Sequence, residues 1–346
     1  MRSLLSSKDC KRPTRNRTTT TDAIPLVTLF PELAVLPRVA LGRFPTPLER
    51  VAGLGAKLWI KRDDLCANPM GGNKVRALEF LLGSISNGRA LITVGSAGST
   101  HALAVAIYGK QVGGRVLVGR WEQEMNSVAT VVADRILATA SSAPIYRTPI
   151  GAYVWAWRKR LRGAHWIPAG GSTPLGILGH VNAGLELVEQ LDAGFMEEPT
   201  HVVVPLGTGG TAAGLALAFA IARRNIVVVG VRVVPRLIGR AGHVHALADR
   251  TARLVERITH GAVPRVQGRS IVVIHDRYGG AYGRETDAGR TAADRLRSVS
   301  SIPLDATYSA KAFSTALDLA AREPTVFWLT FDHRILGAMT KPSEQQ

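Results

Sequence analysis

One lysine stands where a helix is predicted to begin. Residues 58–62 are typical of a buried strand, the glycines at 71–72 end that strand, and Asn73 is a good N-cap for the helical pattern that follows. Lys74 then falls in the first helical turn, where the helix dipole disfavours a cation, and the dipole together with any burial would lower the pKa of its amine. A neutral amine is a nucleophile, so Lys74 is a candidate catalytic residue. The same spacing also fits a surface lysine that merely follows a loop.

A second segment with chemical meaning is the glycine-rich run from Gly207 to Thr211, between an apolar strand and a helix. Its glycines let backbone amides approach an anion, and its two threonines add hydroxyl groups, so it predicts a phosphate site. The spacing from Gly207 also fits a dinucleotide-binding motif, which needs an acidic residue about 20 positions further on. No Asp or Glu lies between Glu198 and Asp249. A plain phosphate is therefore the better prediction, with a glycine turn that binds nothing as the alternative.

Strands and helices alternate along the chain, which favours parallel, doubly wound α/β sheets. The predicted strands include 90–94, 115–118, 202–205, 226–231, 271–274, 303–307 and 326–329. The predicted helices include 102–108, 128–139, 153–162, 181–191, 212–223 and 246–258. At 346 residues the chain is long enough for two domains of ordinary size.

Composition excludes several classes of protein. Apolar residues make up 46% of the chain, enough for a sizeable core, and no apolar run approaches the ~20 residues of a membrane span. Cys10 and Cys66 are the only cysteines, which excludes a disulfide scaffold and predicts a reducing, cytoplasmic setting. His243 and His245 have no carboxylate cluster beside them, so we expect no metal site. The composition of residues 1–23 predicts a disordered basic tail. It is either a targeting segment or the result of a start codon assigned too far upstream.

The formal net charge of +17 raises the alternative of a nucleic-acid-binding protein. The excess of arginine is spread along the sequence, and no alternation of aromatic and basic residues marks a stacking platform for bases. We therefore expect no specific nucleic-acid binding. Attraction of anionic substrates and cofactors is the modest consequence we expect of the charge.

The segment from Lys61 to Arg76 resembles the cofactor-lysine segment of pyridoxal-phosphate enzymes of the tryptophan-synthase-beta fold. It is most similar to the D-cysteine desulfhydrase and 1-aminocyclopropane-1-carboxylate (ACC) deaminase family, in which K-R-D-D, a short loop and G-G-N-K-x-R precede a helix. The resemblance covers roughly residues 36–332 and implies that Lys74 is the Schiff-base lysine of pyridoxal 5'-phosphate. The cofactor-binding residues it implies are Asn73, Lys74, Thr100, Gly207, Thr208, Gly209, Gly210, Thr211 and Thr330.

The run Gly95–His101 resembles the family's G-G-x-Q-S-N-H. The resemblance implies that Ser99 and His101 contact the substrate and that Ser99 transfers a proton or binds the carboxylate. Gly98 and Thr100 stand where the family has Gln and Asn, and a threonine hydroxyl replaces only one hydrogen bond of that amide. A cofactor-binding protein without turnover is therefore an alternative. Taken alone, Ser99 is better explained as a helix N-cap.

Two segments supply candidate tyrosines. Asp276–Gly283 resembles the family's D-x-Y-x-G-x-x-Y-G, and Asp305–Lys311 resembles its D-x-V-Y-x-G-K. The resemblance implies that Tyr278 and Tyr308 approach the substrate, where a tyrosine acts as acid or base if a cationic cofactor lowers its pKa. Without the motifs, either residue is equally well explained as a half-buried core tyrosine.

Position 309 separates the two branches of the family. ACC deaminases have a Glu there, which serves the pyridine nitrogen of the cofactor, whereas Ser309 has no carboxylate. Thr330 stands where the D-cysteine branch places a neutral hydroxyl, and Gly170–Gly176 also resembles that branch. The resemblance thus implies β-elimination from a small amino acid, as in D-cysteine desulfhydrase, giving a keto acid and ammonia, plus sulfide for D-cysteine. ACC deamination is the alternative within the family.

The resemblance also implies the architecture called fold type II. Two doubly wound α/β domains with parallel sheets would hold the cofactor in the cleft between them. We expect the larger domain to comprise residues 24–76 and 185–340, and a smaller domain to be inserted at 77–184. The family resemblance further implies a homodimer.

Overall fold

A computed structural model describes residues 24–85 and 88–337, so the predicted tail at 1–23 lies outside the described residues. Its strands are β1 (Leu48–Arg50), β2 (Leu58–Arg62), β3 (Ala90–Ser96), β4 (Arg115–Trp121), β5 (Ile145–Tyr146), β6 (His165–Trp166), β7 (His201–Leu206), β8 (Val227–Arg232), β9 (Ile271–Ile274) and β10 (Thr325–Leu329). Its α-helices are α1 (Pro25–Leu29), α2 (Asn73–Leu81), α3 (Thr100–Gln111), α4 (Ser127–Thr139), α5 (Pro149–Leu161), α6 (Pro174–Asp192), α7 (Gly210–Ile221), α8 (Ala241–Thr259), α9 (Asp287–Arg297), α10 (Ser309–Ala320) and α11 (Arg334–Gly337). Short 3-10 helices cover Pro31–Val35, Asp63–Leu65, Ala169–Gly171, Gly268–Ser270 and Asp276–Tyr278.

The strands form two sheets, with the orders β1-β2-β10-β7-β8-β9 and β5-β4-β3-β6. All neighbouring strands are parallel except β1 and β2. The predicted α/β fold with parallel sheets is therefore confirmed. The strands of the smaller sheet lie within residues 77–184, and those of the larger sheet come from both sides of that interval. The proposed bounds of the two domains stay a prediction, as does the homodimer.

Two local predictions are wrong, each for a physical reason. Asn73 is the first residue of α2 rather than its N-cap, because Gly72 occupies the cap with φ 107°, a conformation that favours glycine. Residues 303–307 form no strand. Asp305 instead lies in the turn before α10, where its carboxylate accepts hydrogen bonds from the backbone N–H groups of Tyr308 (2.7 Å) and Ser309 (3.0 Å).

Close packing of α6 against α7 fixes the position of the glycine-rich run at residues 207–211. Helices α6 and α7 are buried over most of their lengths and lie against each other. A β-carbon on Gly184 would lie 2.5 Å from that of Ala218, and one on Gly214 would lie 2.3 Å from that of His180. The small residues in this sequence therefore allow the two helices to approach closely, which fixes the start of α7. None of the helices in the two described ranges has both the length and the apolar character needed to cross a bilayer.

A buried network of charges joins β2, α2 and α6. The Lys61 amine donates to a carboxylate oxygen of Glu186 at 2.6 Å, and the Arg76 guanidinium donates to the other oxygen at 2.9 Å. Arg76 also binds both carboxylate oxygens of Asp63, at 2.7 and 2.9 Å. All four side chains are almost completely buried. A charge left unpaired at such depth is strongly unfavourable, so these contacts fix the three elements relative to one another.

We expect Glu186→Gln to lower the free energy of unfolding by about 3–5 kcal/mol, because Lys61 and Arg76 would stay buried without their shared counter-charge. Urea denaturation measures the change. The matched control is Glu198→Gln, which removes an exposed pair with Arg224 (2.8 Å) and should cost less than about 1 kcal/mol. Equal losses in the two variants would contradict the importance of the buried network.

The same carboxylate predicts an acid-dependent loss of stability. Burial alone would raise the pKa of Glu186, but the charges of Arg76 and Lys61 lower it to about 2. Its folded pKa therefore lies below the unfolded value of about 4.3. The stabilisation is complete above that unfolded value and is lost as the pH falls toward 2. The unfolding free energy of the wild type should thus fall more steeply across this window than that of Glu186→Gln.

Candidate active site

A cleft lies at the carboxyl ends of the parallel strands, which is where open α/β sheets bind ligands. Strand β7 leads into Gly207, β10 leads into Thr330, and the loop after β3 leads into Thr100. The cleft is lined by Asn73, Lys74, Thr100, Gly170, Ser172, Pro205, Gly207, Thr208, Gly209, Gly210, Thr211, Ala212, Tyr308, Thr330 and Phe331. The structure thus brings together all nine residues predicted to bind a cofactor. Their individual roles stay predictions.

Lys74 is half-buried in the first turn of α2 and reaches the cleft. Its amine has no hydrogen-bond or ion-pair partner among residues 24–85 and 88–337. Burial lowers the pKa of Lys74 to about 8. The expected lowering of the pKa is present, and burial is its cause. Near neutral pH this amine is therefore neutral far more often than a surface lysine is.

The loop before Lys74 is shaped by close backbone contacts. A β-carbon on Gly71 would lie 1.9 Å from the Asp64 carbonyl oxygen, and one on Gly72 would lie 2.4 Å from the Thr330 carbonyl oxygen. The Gly71 N–H donates to the carboxylate of Asp332 at 2.8 Å. Sequence analysis found no role for Asp332. The structure shows that it fastens the lysine loop to the end of β10.

The run from Gly207 to Thr211 forms the open end of α7. Gly209 has φ 88°, and no side chain caps the helix, so the backbone N–H groups of the first turn face the cleft without a protein partner at the cap. Thr208 and Ser172 share a hydrogen bond of 2.7 Å, and the Asn73 amide donates to the Thr211 hydroxyl at 2.8 Å. These contacts hold a cradle of amide and hydroxyl donors suited to an anion.

A smaller pocket adjoins the cleft and shares Thr100, Tyr308 and Phe331 with it. Its lining residues are Gly98, Thr100, Gln123, Val128, Ala129, Tyr282, Asp305, Thr307, Tyr308 and Phe331. The hydroxyls of Tyr282 and Tyr308 are hydrogen-bonded, and Thr100 also bonds to Tyr308. Burial raises the pKa of Tyr308 despite the Thr100 contact. Tyr308 therefore stays protonated near neutral pH and is a poor base as it stands.

Tyr282 is a residue that sequence analysis missed. It is the second tyrosine of the segment in which Tyr278 was chosen. The structure places Tyr278 outside the lining of both pockets, with the Arg232 guanidinium 4.3 Å from its ring centroid. The motif contains both tyrosines and so indicated that one of them lies near the site. Nothing in the local sequence shows which of the two lines the adjoining pocket.

Ser99 and His101 support the cleft without lining it. Ser99 is the N-cap of α3 and accepts a hydrogen bond from the Ala102 N–H at 3.3 Å. His101 is buried beside Thr93, with 3.3 Å between its Nε2 and the threonine hydroxyl. Burial, and then the charge of Lys74, lower the pKa of His101 to about 3, so its imidazole is neutral. Substrate contact by Ser99 and His101 stays a prediction.

Gly98 has no space for a side chain. A β-carbon there would lie 2.6 Å from that of Ala129 on α4. The Gln123 side chain accepts a hydrogen bond from the Gly98 N–H at 3.4 Å and lines the adjoining pocket. Gln123 therefore supplies an amide group to this pocket, and no pattern in the sequence identified it.

The lining of the main cleft contains no Asp or Glu. Ser309 does not line it, because its hydroxyl is buried and donates to Asp305 at 2.5 Å. Thr330 is thus the side chain at the end of β10 that presents a hydroxyl to the cleft. Across the described ranges, no group of three or more His, Cys, Asp and Glu residues is arranged to hold a metal ion.

Comparisons with known proteins agree with this geometry. The model of the family described as "Pyridoxal-phosphate dependent enzyme" matches residues 39–330. The chain is 36% identical over 335 residues to nocardicin C-9' epimerase of Nocardia uniformis subsp. tsuyamanensis, covering 90% of this chain and 97% of that protein. It is 30% identical over 303 residues to D-cysteine desulfhydrase of Salmonella typhi, covering 83% of this chain and 89% of that protein.

A solved structure, described as that of an ACC deaminase homologue, shares the architecture. It aligns with a TM-score of 0.73 and 27% sequence identity, covering 88% of this chain and 94% of the other. The predicted fold type II is thus confirmed by a structure as well as by the order of the strands. The family model covers most of the chain and includes Lys74 and the cleft around it. The chain belongs to the family of pyridoxal-phosphate dependent enzymes.

Proposed function

We propose that the protein is a pyridoxal-phosphate-dependent lyase that eliminates the β-substituent of a small amino acid and releases a keto acid and ammonia. With D-cysteine the products are pyruvate, sulfide and ammonia. The observation that carries the proposal is the composition of the cleft. The Lys74 amine, which has no hydrogen-bond or ion-pair partner in the described part of the chain, shares the cleft with hydroxyl groups and backbone amides, and no carboxylate is among the residues that line it.

The residues that line the cleft suit pyridoxal 5'-phosphate in chemistry. The amides and hydroxyls from Gly207 to Thr211 suit the phosphate, and the Lys74 amine suits the aldehyde. The backbone at Gly207 is open, since a β-carbon there would meet nothing within 4 Å. The hydroxyl of Thr330 suits the pyridine nitrogen. When bound, the cofactor accepts the electron pair freed at the substrate Cα atom.

Lys74 is the base that this cleft offers for the Cα proton. A pKa of about 8 lies close to neutral pH, where a general base is most effective. Tyr308 lies in the adjoining pocket with the Tyr282 hydroxyl hydrogen-bonded to it, and burial raises the pKa of Tyr308, so this hydroxyl pair is the proton source for the departing β-substituent in the proposal. Lys74 would take the Cα proton, and the β-substituent would leave with the electron pair of its bond to Cβ and a proton from the tyrosine pair. Water would then hydrolyse the released enamine to the keto acid and ammonia.

Thr330 favours elimination over reactions that store charge in the cofactor. A hydroxyl leaves the pyridine nitrogen unprotonated, which limits the cofactor as an electron sink. Elimination suits a weak sink because the electron pair departs with the β-substituent. An ACC deaminase, the alternative within the family, would use a carboxylate at position 309. Here Ser309 has none, and its hydroxyl is occupied by Asp305.

Epimerisation is a second candidate, because the nocardicin C-9' epimerase is 36% identical across 90% of the chain. An epimerase removes a proton from a stereocentre and returns one on the opposite face. Lys74 and Tyr308 line one cleft and come from different elements, so the chain offers two proton-transfer groups. Epimerisation and elimination both begin with removal of the Cα proton. Elimination follows only when the substrate carries a substituent at Cβ that can leave.

We expect borohydride to fix the cofactor covalently on Lys74 of the purified protein and to remove an imine absorption band. Peptide mass mapping identifies the labelled residue. Lys74→Ala should neither show the band nor take the label, because the nucleophilic amine is gone. Lys110→Ala, at an exposed position on α3, should behave as wild type. Label on another lysine would overturn the assignment of Lys74.

Gly207→Ala should weaken pyridoxal 5'-phosphate binding by about tenfold or more, because its methyl group would occupy cleft space that the phosphate needs. Stability should change by no more than about 0.5 kcal/mol, since the methyl group meets no protein atom within 4 Å. Gly242→Ala is the matched control, equally open but on α8 outside the cleft. Fluorescence titration of cofactor-free protein measures the affinity. Unchanged affinity for Gly207→Ala would place the phosphate elsewhere.

We expect 3-chloro-D-alanine or D-cysteine to release pyruvate faster than ACC releases 2-oxobutanoate, because Thr330 and Ser309 leave the cleft without a carboxylate. A panel of D- and L-amino acids, assayed for keto acid, measures the ratio of rates. Lys74→Ala should abolish turnover, since one group both binds the cofactor and removes the proton.

Three outcomes would change the proposal. Faster turnover of ACC would assign the protein to the deaminase branch. Exchange of the Cα proton with deuterated solvent and inversion at Cα, without keto acid, would favour the epimerase. Cofactor binding with neither exchange nor elimination would indicate a degenerate protein, in which Gly98 and Thr100 stand where the resemblance leads us to expect Gln and Asn.

A further inference from the structure

We propose that Asn126 is a positioning residue that holds Tyr282 beside Tyr308. It rests on the proposed function in one respect, because that function gives the tyrosine pair its proton transfer. Asn126 is not itself in the lining of the main cleft or of the adjoining pocket. It acts through the residues next to the two tyrosines.

One carboxamide reaches the chain neighbour of each tyrosine. The Asn126 Nδ2 donates to the carbonyl oxygen of Gly283, which follows Tyr282, at 3.0 Å. The same nitrogen donates to the hydroxyl of Thr307, which precedes Tyr308, at 3.2 Å. Its Oδ1 accepts a hydrogen bond from the N–H of Ala129 at 2.8 Å, which caps α4. One side chain therefore links the chain neighbours of both tyrosines.

Helix capping alone does not explain why residue 126 is an asparagine. Helices α3, α6 and α9 take side-chain caps from Ser99, Thr173 and Thr286, each through a hydroxyl. Ser, Thr, Asp and Asn are all good N-caps, since capping needs only an acceptor oxygen. The two bonds to Gly283 and Thr307 use the donor nitrogen, which of these four residue types only Asn carries.

The segment that carries Tyr282 depends on such a tether. It is irregular between the 3-10 helix Asp276–Tyr278 and α9, and Gly279, Gly280 and Gly283 all have positive φ, at 74°, 84° and 86°. Its other side-chain contact with the β4–α4 loop is the ion pair of Arg284 and Glu124 at 3.2 Å. Both of those side chains are more than half exposed, and such surface pairs contribute little. Asn126 is half-buried, so its hydrogen bonds compete less with water.

The test uses two variants that keep the cap and lose the donor. Asn126→Asp has nearly the same shape and retains the acceptor for Ala129, but presents an oxygen to the Gly283 carbonyl. Asn126→Ser also caps and is too short to reach across. The control is Glu124→Gln, which removes the ion pair with Arg284 from the same loop. Melting temperatures of all three, compared with wild type, show whether the cap is retained.

Two readouts follow from the proposal. For the substrate with the highest turnover, kcat should fall about tenfold or more in both Asn126 variants with KM within about twofold, because a small misplacement of a reacting group slows the step without weakening binding. Glu124→Gln should keep its kcat within about twofold. Independently of turnover, NMR of the full-length protein, as purified and with [ζ-13C]tyrosine, reports the contact. Tyr282→Phe should shift the Tyr308 signal in the wild-type background and not in the Asn126→Ser background.

The proposal is overturned if the Tyr308 signal still responds to Tyr282→Phe in the Asn126→Ser background. It is also overturned if both Asn126 variants match Glu124→Gln in kcat. Absence of turnover in the wild type would count against the proposed function alone, because the NMR comparison needs no turnover and still decides the role of Asn126.

Discussion

The buried charges of Lys61, Asp63, Arg76 and Glu186 are the constraint on which the rest of the structure depends. They lie on β2, on the turn that follows it, on α2 and on α6, so satisfying them fixes these elements together. The same contacts aim Lys74. Residues two apart on an α-helix point about 200° apart, so anchoring Arg76 toward the core turns Lys74 toward the cleft. The K-R-D-D segment is thus a structural device that orients a reactive amine which it never contacts.

The histidines near Lys74 carry no charge at physiological pH. Burial, followed by the charge of Lys74, lowers the pKa of His101 to about 3 and that of His180 well below its ordinary value. Both imidazoles are therefore neutral at physiological pH and do not compete for a substrate proton. With no carboxylate in the cleft lining, the charge state of the site follows Lys74 and the ligand. This local neutrality contrasts with the net charge of the whole chain.

Much of the fold and the cofactor cleft could be predicted from the sequence, because strand patterns, glycine breaks and helix signals are local. The errors occurred where distant residues decide the outcome. Asn73 has the features of a cap, but the approach of Gly72 to Thr330 moves the cap one residue earlier. Asp332 has no local signal, since its partner Gly71 is separated from it by most of the chain.

The residues of the adjoining pocket were also beyond what the local sequence could predict. Tyr278 and Tyr282 are equally polar and lie in one motif, and only the three-dimensional path of the loop turns Tyr282 to the pocket. Gln123 enters the pocket because β4 ends beside it, and Gly98 excludes a side chain because α4 crosses close above it.

The contacts that hold the loop before Lys74 also determine when that loop can fold during synthesis. The carbonyl of Thr330 and the carboxylate of Asp332 accept hydrogen bonds from Asn73 and Gly71, so the loop before Lys74 is held by residues that directly follow β10. A nascent chain emerges from the ribosome with its amino-terminal part first. The loop before Lys74 therefore leaves the ribosome without the groups that hold it. It can take its folded shape only once Asp332, 261 residues after Gly71, has also been synthesised.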